Sequence, residues 1–527
     1  MALAGGCLVF DERIEQAPDC STHQECTDRL SAGGELNPAR CIDSGTPAAR
    51  CEALRSVDCS PITGDYLDDR SILIASLLST SGAQGATNVS RQQAAILAVE
   101  QINASNAAGG VLQSPEPGDV RKLVMLSCDE TVDPLRAARH IVETLRVPAI
   151  VGPNLSQDTL DLTTAVSAPG GTAMFSPTAV ASAIATIPDN GLTFLMVPSD
   201  IQRVPLMKAQ ITALETQIEA ERTRPNGIKF AVYYREDALG IGTRDGLATT
   251  QPPLLINGAT LSAAVTAGKA RIDGYQATST NQAAMIASYI AFQPDLIAIV
   301  GAPEAVTYFI APLEAAWAAQ LPSVPRPYYI GIDSIKTGEL ITAVTGNEDL
   351  RKRVRGTGLT TNAESAPLLS AFQLAYGQRF RDANGNPLPA TTSGMSAAYD
   401  AVYTIALTMV GLTDVTGPAL TAQMPRLASN TQACAYDATG LKSPCYANTD
   451  YSRTLYNNML TLLAGTKVTE FGTAGRLEWT PDGAKSNGVI EMWCVASTGP
   501  KPAFQSSGLT YDVKTQVSSG AYTPCAP

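Results

Sequence analysis

The chain has 527 residues, enough for two or three domains with real cores, and 45% of them are apolar against 16% charged. Its net charge of −12, without any basic stripe, argues against nucleic acid, because phosphate binding needs clustered Lys and Arg. No run of about eighteen or more apolar residues occurs, so no segment reads as a membrane-spanning helix.

Cysteine dominates the start of the chain. Eleven are present, at positions 7, 20, 26, 41, 51, 59, 128, 434, 445, 494 and 525. There is no CxxC pair, and the only histidines are His23 and His140, so zinc-ligand spacing is absent. Disulfides formed in an oxidising compartment are the expectation. Leu3-Ala4-Gly5-Gly6-Cys7 resembles the bacterial lipobox, in which small residues precede a cysteine that is lipidated once a signal peptide is removed. Only Met1 and Ala2 stand where the charged start and apolar run belong. Either Cys7 carries a lipid anchor behind a truncated or misplaced start, or it is one more thiol. The anchor is the expectation, and it leaves an even ten cysteines. The sequence leaves the connectivity open: by proximity Cys434 with Cys445 and Cys494 with Cys525 are candidate local pairs, and Cys59 with Cys128 would tie the N-terminal segment to the chain that follows it. Cys20, Cys26, Cys41 and Cys51 then pair among themselves.

Residues 8 to about 66 show no sustained apolar periodicity and read as a disulfide-stapled tether or small appendage. From Ser71 the texture changes. Ile72 to Leu78 is a short apolar run bounded by turn formers, as expected of a strand buried on both faces. Ser90 with Gln93 forms a capping-box pattern, and Ala95, Val99 and Ile102 share one face of a helix ending near Gly109-Gly110. Lys122 to Ser127 is the second strand. Asp133-Pro134 opens a helix with stripe Leu135, Ala138, Val142 and Leu145. Ala149 to Gly152 is the third strand, and Ser156 opens the next helix. Strands follow at Thr172–Ser176 and Thr193–Val197.

A second series begins after Pro198-Ser199-Asp200 with a long helix to about Glu221. It continues with the strand Ile228–Tyr234, helices from Gly242 and Asn281, the strand Asp295–Gly301, a helix from Glu304 and the strand Pro327–Ile332. Regular strand–helix alternation means parallel strands with right-handed crossovers. The fold class is therefore α/β, with two doubly wound lobes and a cysteine-rich N-terminal extension. Residues 411 to 450 break the pattern with turn formers and Cys434 and Cys445, as a stapled excursion would.

An ordered series of motifs resembles the type I periplasmic binding proteins of the leucine/isoleucine/valine-binding kind over roughly residues 71 to 500. It runs through Leu77-Leu78-Ser79-Thr80-Ser81-Gly82, Ala98-Val99-Glu100-Gln101-Ile102-Asn103, Asp129 and Asp133-Pro134, and Val151-Gly152-Pro153-Asn154-Leu155-Ser156. Phe175-Ser176-Pro177-Thr178, Val197-Pro198-Ser199-Asp200, Ala397 to Tyr403 and Gly475-Arg476-Leu477-Glu478-Trp479 follow. The resemblance implies two lobes joined by three crossovers, near Pro198, Gly356 and Gly472. One lobe then combines 67–198 with 357–470, the other 199–356 with 471–527, and residues 1–66 form the start and tether. It also implies a small polar solute, amino-acid-like or a related carboxylate, in the interlobe cleft, hinge closure, and delivery to an ABC permease of the inner membrane from a periplasmic or cell-surface, lipid-anchored protein.

Ligands of open α/β sheets bind beyond the carboxyl ends of the strands, where helix N-termini offer free N–H groups. This selects Ser79, Thr80, Ser81 and Gln84 after the first strand, Asn154 and Ser156 after the third, and Thr178 and Ala179 after the fourth. The plainer role of Ser156 is an N-cap, and that of the others a solvated turn. The resemblance places an acidic residue for a ligand ammonium at Asp333, with Glu304 a second candidate; as a plainer role, Asp333 caps a helix over 334–345. Val180 and Leu239 stand where amino-acid binders of the family carry a threonine and a tyrosine. Both hydroxyls are lost, which points to a larger or less polar ligand than an α-amino acid.

No GxSxG, HExxH or P-loop sequence occurs, and His140 lies mid-helix at a solvent-facing position, so catalysis is not expected. No cofactor and no metal are expected either. The alternative to transport is a ligand-sensing ectodomain-like protein that signals through a separate membrane partner.

Overall fold

The computed structural model describes residues 19–31, 33–82, 85–105, 109–116, 118–361, 365–427, 436–437, 440–441, 445–449, 455–497 and 502–526. Cys7, Gln84 and Cys434 lie outside these residues.

Two sheets organise the chain. The first contains β1 (Cys59–Thr63), β2 (Ile72–Leu78), β3 (Leu123–Asp129), β4 (Ala149–Val151), β5 (Ala173–Ser176) and β6 (Thr193–Leu195), in the order β6-β5-β4-β2-β3-β1. All neighbours are parallel except β1, which runs antiparallel to β3 along the edge. Every residue of β2 is buried. Ile72 and Ile74 join one apolar cluster and Leu73, Ala75 and Leu77 another, because successive side chains leave opposite faces of a strand. The first face is covered by α1 (Gly85–Asn103), and the second by the helical segment that carries Ala137, Ala138, Ile141 and Val142.

The second sheet has the order β8-β7-β9-β10-β11-β12-β13-β14, from β7 (Phe230–Arg235), β8 (Ala270–Tyr275), β9 (Leu296–Val300), β10 (Tyr328–Gly331), β11 (Val354–Thr360), β12 (Val489–Ala496), β13 (Ala503–Asp512) and β14 (Val517–Ser519). Its first five strands are parallel, and the last three form an antiparallel tail. Tyr233 and Phe309 stack on one face with Tyr289 edge-on to both, and α3 (Asp200–Glu221) contributes Val204, Met207 and Ile211 to the other. Two later helices, α5 (Ala366–Arg379) and α6 (Met395–Thr408), return to the first lobe, where α6 lies against α1.

Several boundaries differ from those read off the sequence. Helix α1 starts at Gly85, so Ser90 sits inside it and donates its hydroxyl to the carbonyls of Ala86 and Thr87 instead of capping; the helix ends at Asn103. The helix expected from Gly242 is α4 (Ala238–Thr249), capped by the Asp237 side chain. Relative to crossings near Gly356 and Gly472, the chain changes sheets later. Thr357 lies within β11, and 473–485 still serves the first lobe: Leu195 N–H donates to Gly483 O at 2.9 Å and Trp479 Nε1 to Leu195 O at 2.8 Å.

The N-terminal segment is a folded appendage. A helix (His23–Leu30) and a hairpin (Ala39–Ile42 with Arg50–Ala53) are held by Cys20–Cys41 and Cys26–Cys51. The Cys59–Cys128 disulfide fastens β1 to β3, and Cys494–Cys525 ties down the C-terminus. Cys445 is also disulfide-bonded. His140, expected to face solvent, meets the Leu54 carbonyl at 2.9 Å, and His23 is buried near Arg40, its pKa pushed down to about 4. Both histidines therefore serve the junction between appendage and lobe. No described helix is long and apolar enough to cross a membrane.

Candidate ligand-binding cleft

The carboxyl ends of β2 to β5 meet in one rim of the first lobe. Gly152, with φ 134°, lets the end of β4 press against β2, because a Cβ there would overlap the Leu77 carbonyl. That approach brings Ser79 and Asn154 onto one side chain, Glu130. Its Oε1 accepts from the Ser79 hydroxyl and the Asn154 N–H, each at 3.0 Å, while Oε2 is buried without a partner. Burial pushes the Glu130 carboxyl up to about 8, helped by the Asp158 charge, so it is neutral at pH 7. The Thr178 hydroxyl donates to Asn154 O and Oδ1 at 2.7 and 2.8 Å. Thr80 N–H donates to Asp129 Oδ1 at 3.0 Å, and the Thr131 hydroxyl reaches that same oxygen and, at 3.3 Å, Ser81 O. The loop after β2 is thereby closed on itself, with Ser81 exposed.

Ser156 takes a different part from the N-cap expected of it. Leu155 occupies the cap position of α2 (Ser156–Leu162), and the Ser156 hydroxyl accepts the N–H groups of Val180 and Ala181 at 3.0 and 3.2 Å. It clamps the loop after β5. Ala179, Val180 and Leu239 are buried, and Ala179 and Ala181 pack with Ala238 of α4 where the lobes meet. Asp200, at the first crossing, accepts from Ser182 N–H at 3.0 Å and donates its own N–H to Val180 O at 2.7 Å.

Sequence reasoning passed over Arg91. It is the single Lys or Arg between Ser71 and Val120, and it lies on α1 facing the same rim. Its Nη1 donates to Asn88 Oδ1 and Asn154 Oδ1, each at 2.6 Å, and its Nε to Ser393 O at 2.7 Å. Gly394, at φ 86°, brings that carbonyl in; a Cβ would strike Thr178 and crowd Arg91. All three acceptors are neutral. Desolvation pushes the guanidinium pKa down to about 10, partly offset by the charge of Asp333 on the opposite lobe. Arg91 remains a cation at pH 7.

On the second lobe, Asp333 begins a short 3-10 turn (Asp333–Ile335) rather than capping a longer helix, and it forms an ion pair with Arg203 of α3. Glu304 accepts from Tyr275 Oη at 2.9 Å and pairs with Arg235 at 3.3 Å. Both acidic candidates thus already hold cations. The one grouping of metal-type ligands among the described residues is Cys20, Cys26 and Cys41, whose sulfurs are in disulfides.

No family model and no curated protein matches the chain. Solved structures do. The branched-chain amino acid transporter substrate binding protein LivJ from Streptococcus pneumoniae, in complex with isoleucine, aligns at TM-score 0.54 and 15% identity, covering 83% of this chain and 99% of that one. A solute binding protein of an ABC transporter from Rhodopseudomonas palustris, in complex with 3,4-dihydroxy benzoic acid, aligns at 0.53 and 12%, covering 84% and 98%. A periplasmic binding protein type 1 from Bordetella pertussis aligns at 0.52 and 16%, covering 83% and 100%. At these identities the likeness establishes the fold, the two-lobed architecture of type I periplasmic binding proteins.

Proposed function

We propose that the chain is an extracytoplasmic solute-binding protein that holds a small solute between its lobes and hands it to an ABC permease of the inner membrane. The observation that carries this reading is the convergence of the strand-end loops of one sheet, through Ser79, Asn154 and Thr178, on a rim whose cation Arg91 feels the charge of Asp333 on the other lobe. The fold shared with solute-binding proteins supports it. In this reading the first lobe spans 67–198 and about 361–487, the second 199–360 and 488–527, Cys7 bears a lipid anchor, and the protein performs no catalysis.

Two measurements on the whole chain test it. A true solute at about a hundredfold its Kd stabilises the fold by about 2.7 kcal/mol in a thermal-shift screen. The same solute should contract the particle in small-angle scattering, as the lobes close about the cleft. Folded protein that neither shifts nor contracts with any solute of a broad library of acids, amines, sugars and amino acids would overturn the reading.

A further inference from the structure

The cleft carries a cation with spare donors. Arg91 is fixed by the oxygens of Asn88, Asn154 and Ser393, so its guanidinium is oriented before any ligand arrives. Its Nη2 makes no hydrogen bond among the described residues. Beside it, Asn88 is wholly buried, and while its Oδ1 accepts from Arg91, its Nδ2 has no partner. A buried amide N–H left without an acceptor is costly, so Asn88 Nδ2, beside the unengaged Nη2 of half-buried Arg91, describes a place for an acceptor. Arg203 is answered by Asp333, whereas Arg91 has no carboxylate partner among the described residues. The acceptor that completes the set is an anion.

We infer that, given the solute-binding reading, the ligand is a carboxylate held at its anionic end by Arg91 Nη2 and Asn88 Nδ2, and that an α-ammonium adds little to its recognition. A planar carboxylate matches the fork of a guanidinium and accepts from two donors at once. Neither acidic candidate of the second lobe offers an ammonium such an opening. At Asp333 it has to displace Arg203, and at Glu304 it competes with Arg235 and the Tyr275 hydroxyl. Arg235 and Arg353 of the second lobe take carboxylates of the chain itself; Arg91 has none to take among the described residues.

The test uses the full chain, calorimetry and the probes benzoate, benzamide, 4-methylpentanoate, leucine and leucinamide, with neutral sugars and simple amines on the same plate. At least one acid should bind, its amide about 10- to 100-fold more weakly, and 4-methylpentanoate within a few-fold of leucine. Arg91→Gln should remove the preference for acid over amide, and Arg91→Lys should keep part of it. Asn88→Asp, which sets an internal carboxylate beside Arg91, should weaken the acids while retaining the wild-type melting profile, so a folding defect in the arginine variants does not decide the matter. Equal binding of acid and amide, or Arg91→Gln with unchanged acid affinity, overturns the inference. So does an absence of acid binding; a sugar or amine hit then leaves the solute-binding reading intact, whereas silence across the plate removes both.

Discussion

The two lobes answer several of their buried acids differently. In the second, three carboxylates are answered by guanidiniums, Asp295 by Arg222 and Arg224, Glu314 by Arg353 and Arg326, and Glu304 by Arg235, while Glu491 meets Lys336 and Glu215 accepts the Asn257 N–H. In the first, Glu130 meets only a hydroxyl and an amide, and Asp400 accepts from Asn448, Thr473 and Ala474. Glu470 accepts from Thr404, with Lys485 buried nearby. Burial pushes both Glu130 and Glu470 up to about 8. The second lobe thus sets guanidiniums against several of its carboxylates, whereas in the first burial raises Glu130 and Glu470, and Arg91 lies at the rim with no carboxylate partner among the described residues.

Removing a fixed charge gives the largest effect. Asp295 is 3% exposed and also accepts the Lys229 N–H at 3.0 Å. Asp295→Ala strands two guanidiniums and that N–H between β7 and β9. The cost of breaking a buried pair is about 3–5 kcal/mol, and partial exposure of Arg224 places this one near about 3 kcal/mol. Urea unfolding of the variant measures it; a loss below about 1 kcal/mol would erase the contrast between the lobes.

Glu130→Gln probes the other side of the comparison. A carboxyl whose folded pKa is raised binds its proton more tightly in the native state. Stability from that proton is present at low pH and falls as pH rises from the unfolded value near 4.5 toward about 8. Glutamine keeps the neutral shape without the titration. The variant should match wild type near pH 5 and exceed it by about 1–3 kcal/mol at pH 8, with a flatter stability profile across that interval. Parallel profiles for the two proteins would show that Glu130 does not hold a proton.

The alternation that organises both sheets is legible in the sequence because strands buried on both faces must be short, continuous apolar runs, as Ile72–Leu78 is. The pairing of Cys59 with Cys128, and of Cys494 with Cys525, follows from cysteine counts and proximity, and the structure contains both. Other features depend on partners distant in the chain. That Asp333 is taken by Arg203, 130 residues away, has no local signature. Ser156 looks like a cap because serine at a helix start usually is one, yet its hydroxyl serves a loop 24 and 25 residues on. Arg91 did leave a trace, as a lone basic residue in a stretch of fifty between Ser71 and Val120. Its significance appears only when Asn154 and Ser393 close around it.

The smallest effect is the most discriminating. If Asp333 holds a ligand ammonium, Asp333→Asn weakens cationic and zwitterionic solutes. If Asp333 instead belongs to Arg203, the substitution removes one negative charge from a cleft whose ligand is an anion, and Asn still offers Arg203 an amide oxygen. The electrostatic gain at Arg91, screened by water at the cleft mouth, is about 0.5–1 kcal/mol, or roughly two- to fivefold tighter binding of a carboxylate such as benzoate. The gain should shrink with added salt, since it is a Coulomb effect at a partly open site. Leucine should follow benzoate rather than diverge from it. Opposite shifts for the two, with leucine losing affinity as benzoate gains, would return Asp333 to the ligand and make the two rims partners in holding a zwitterion.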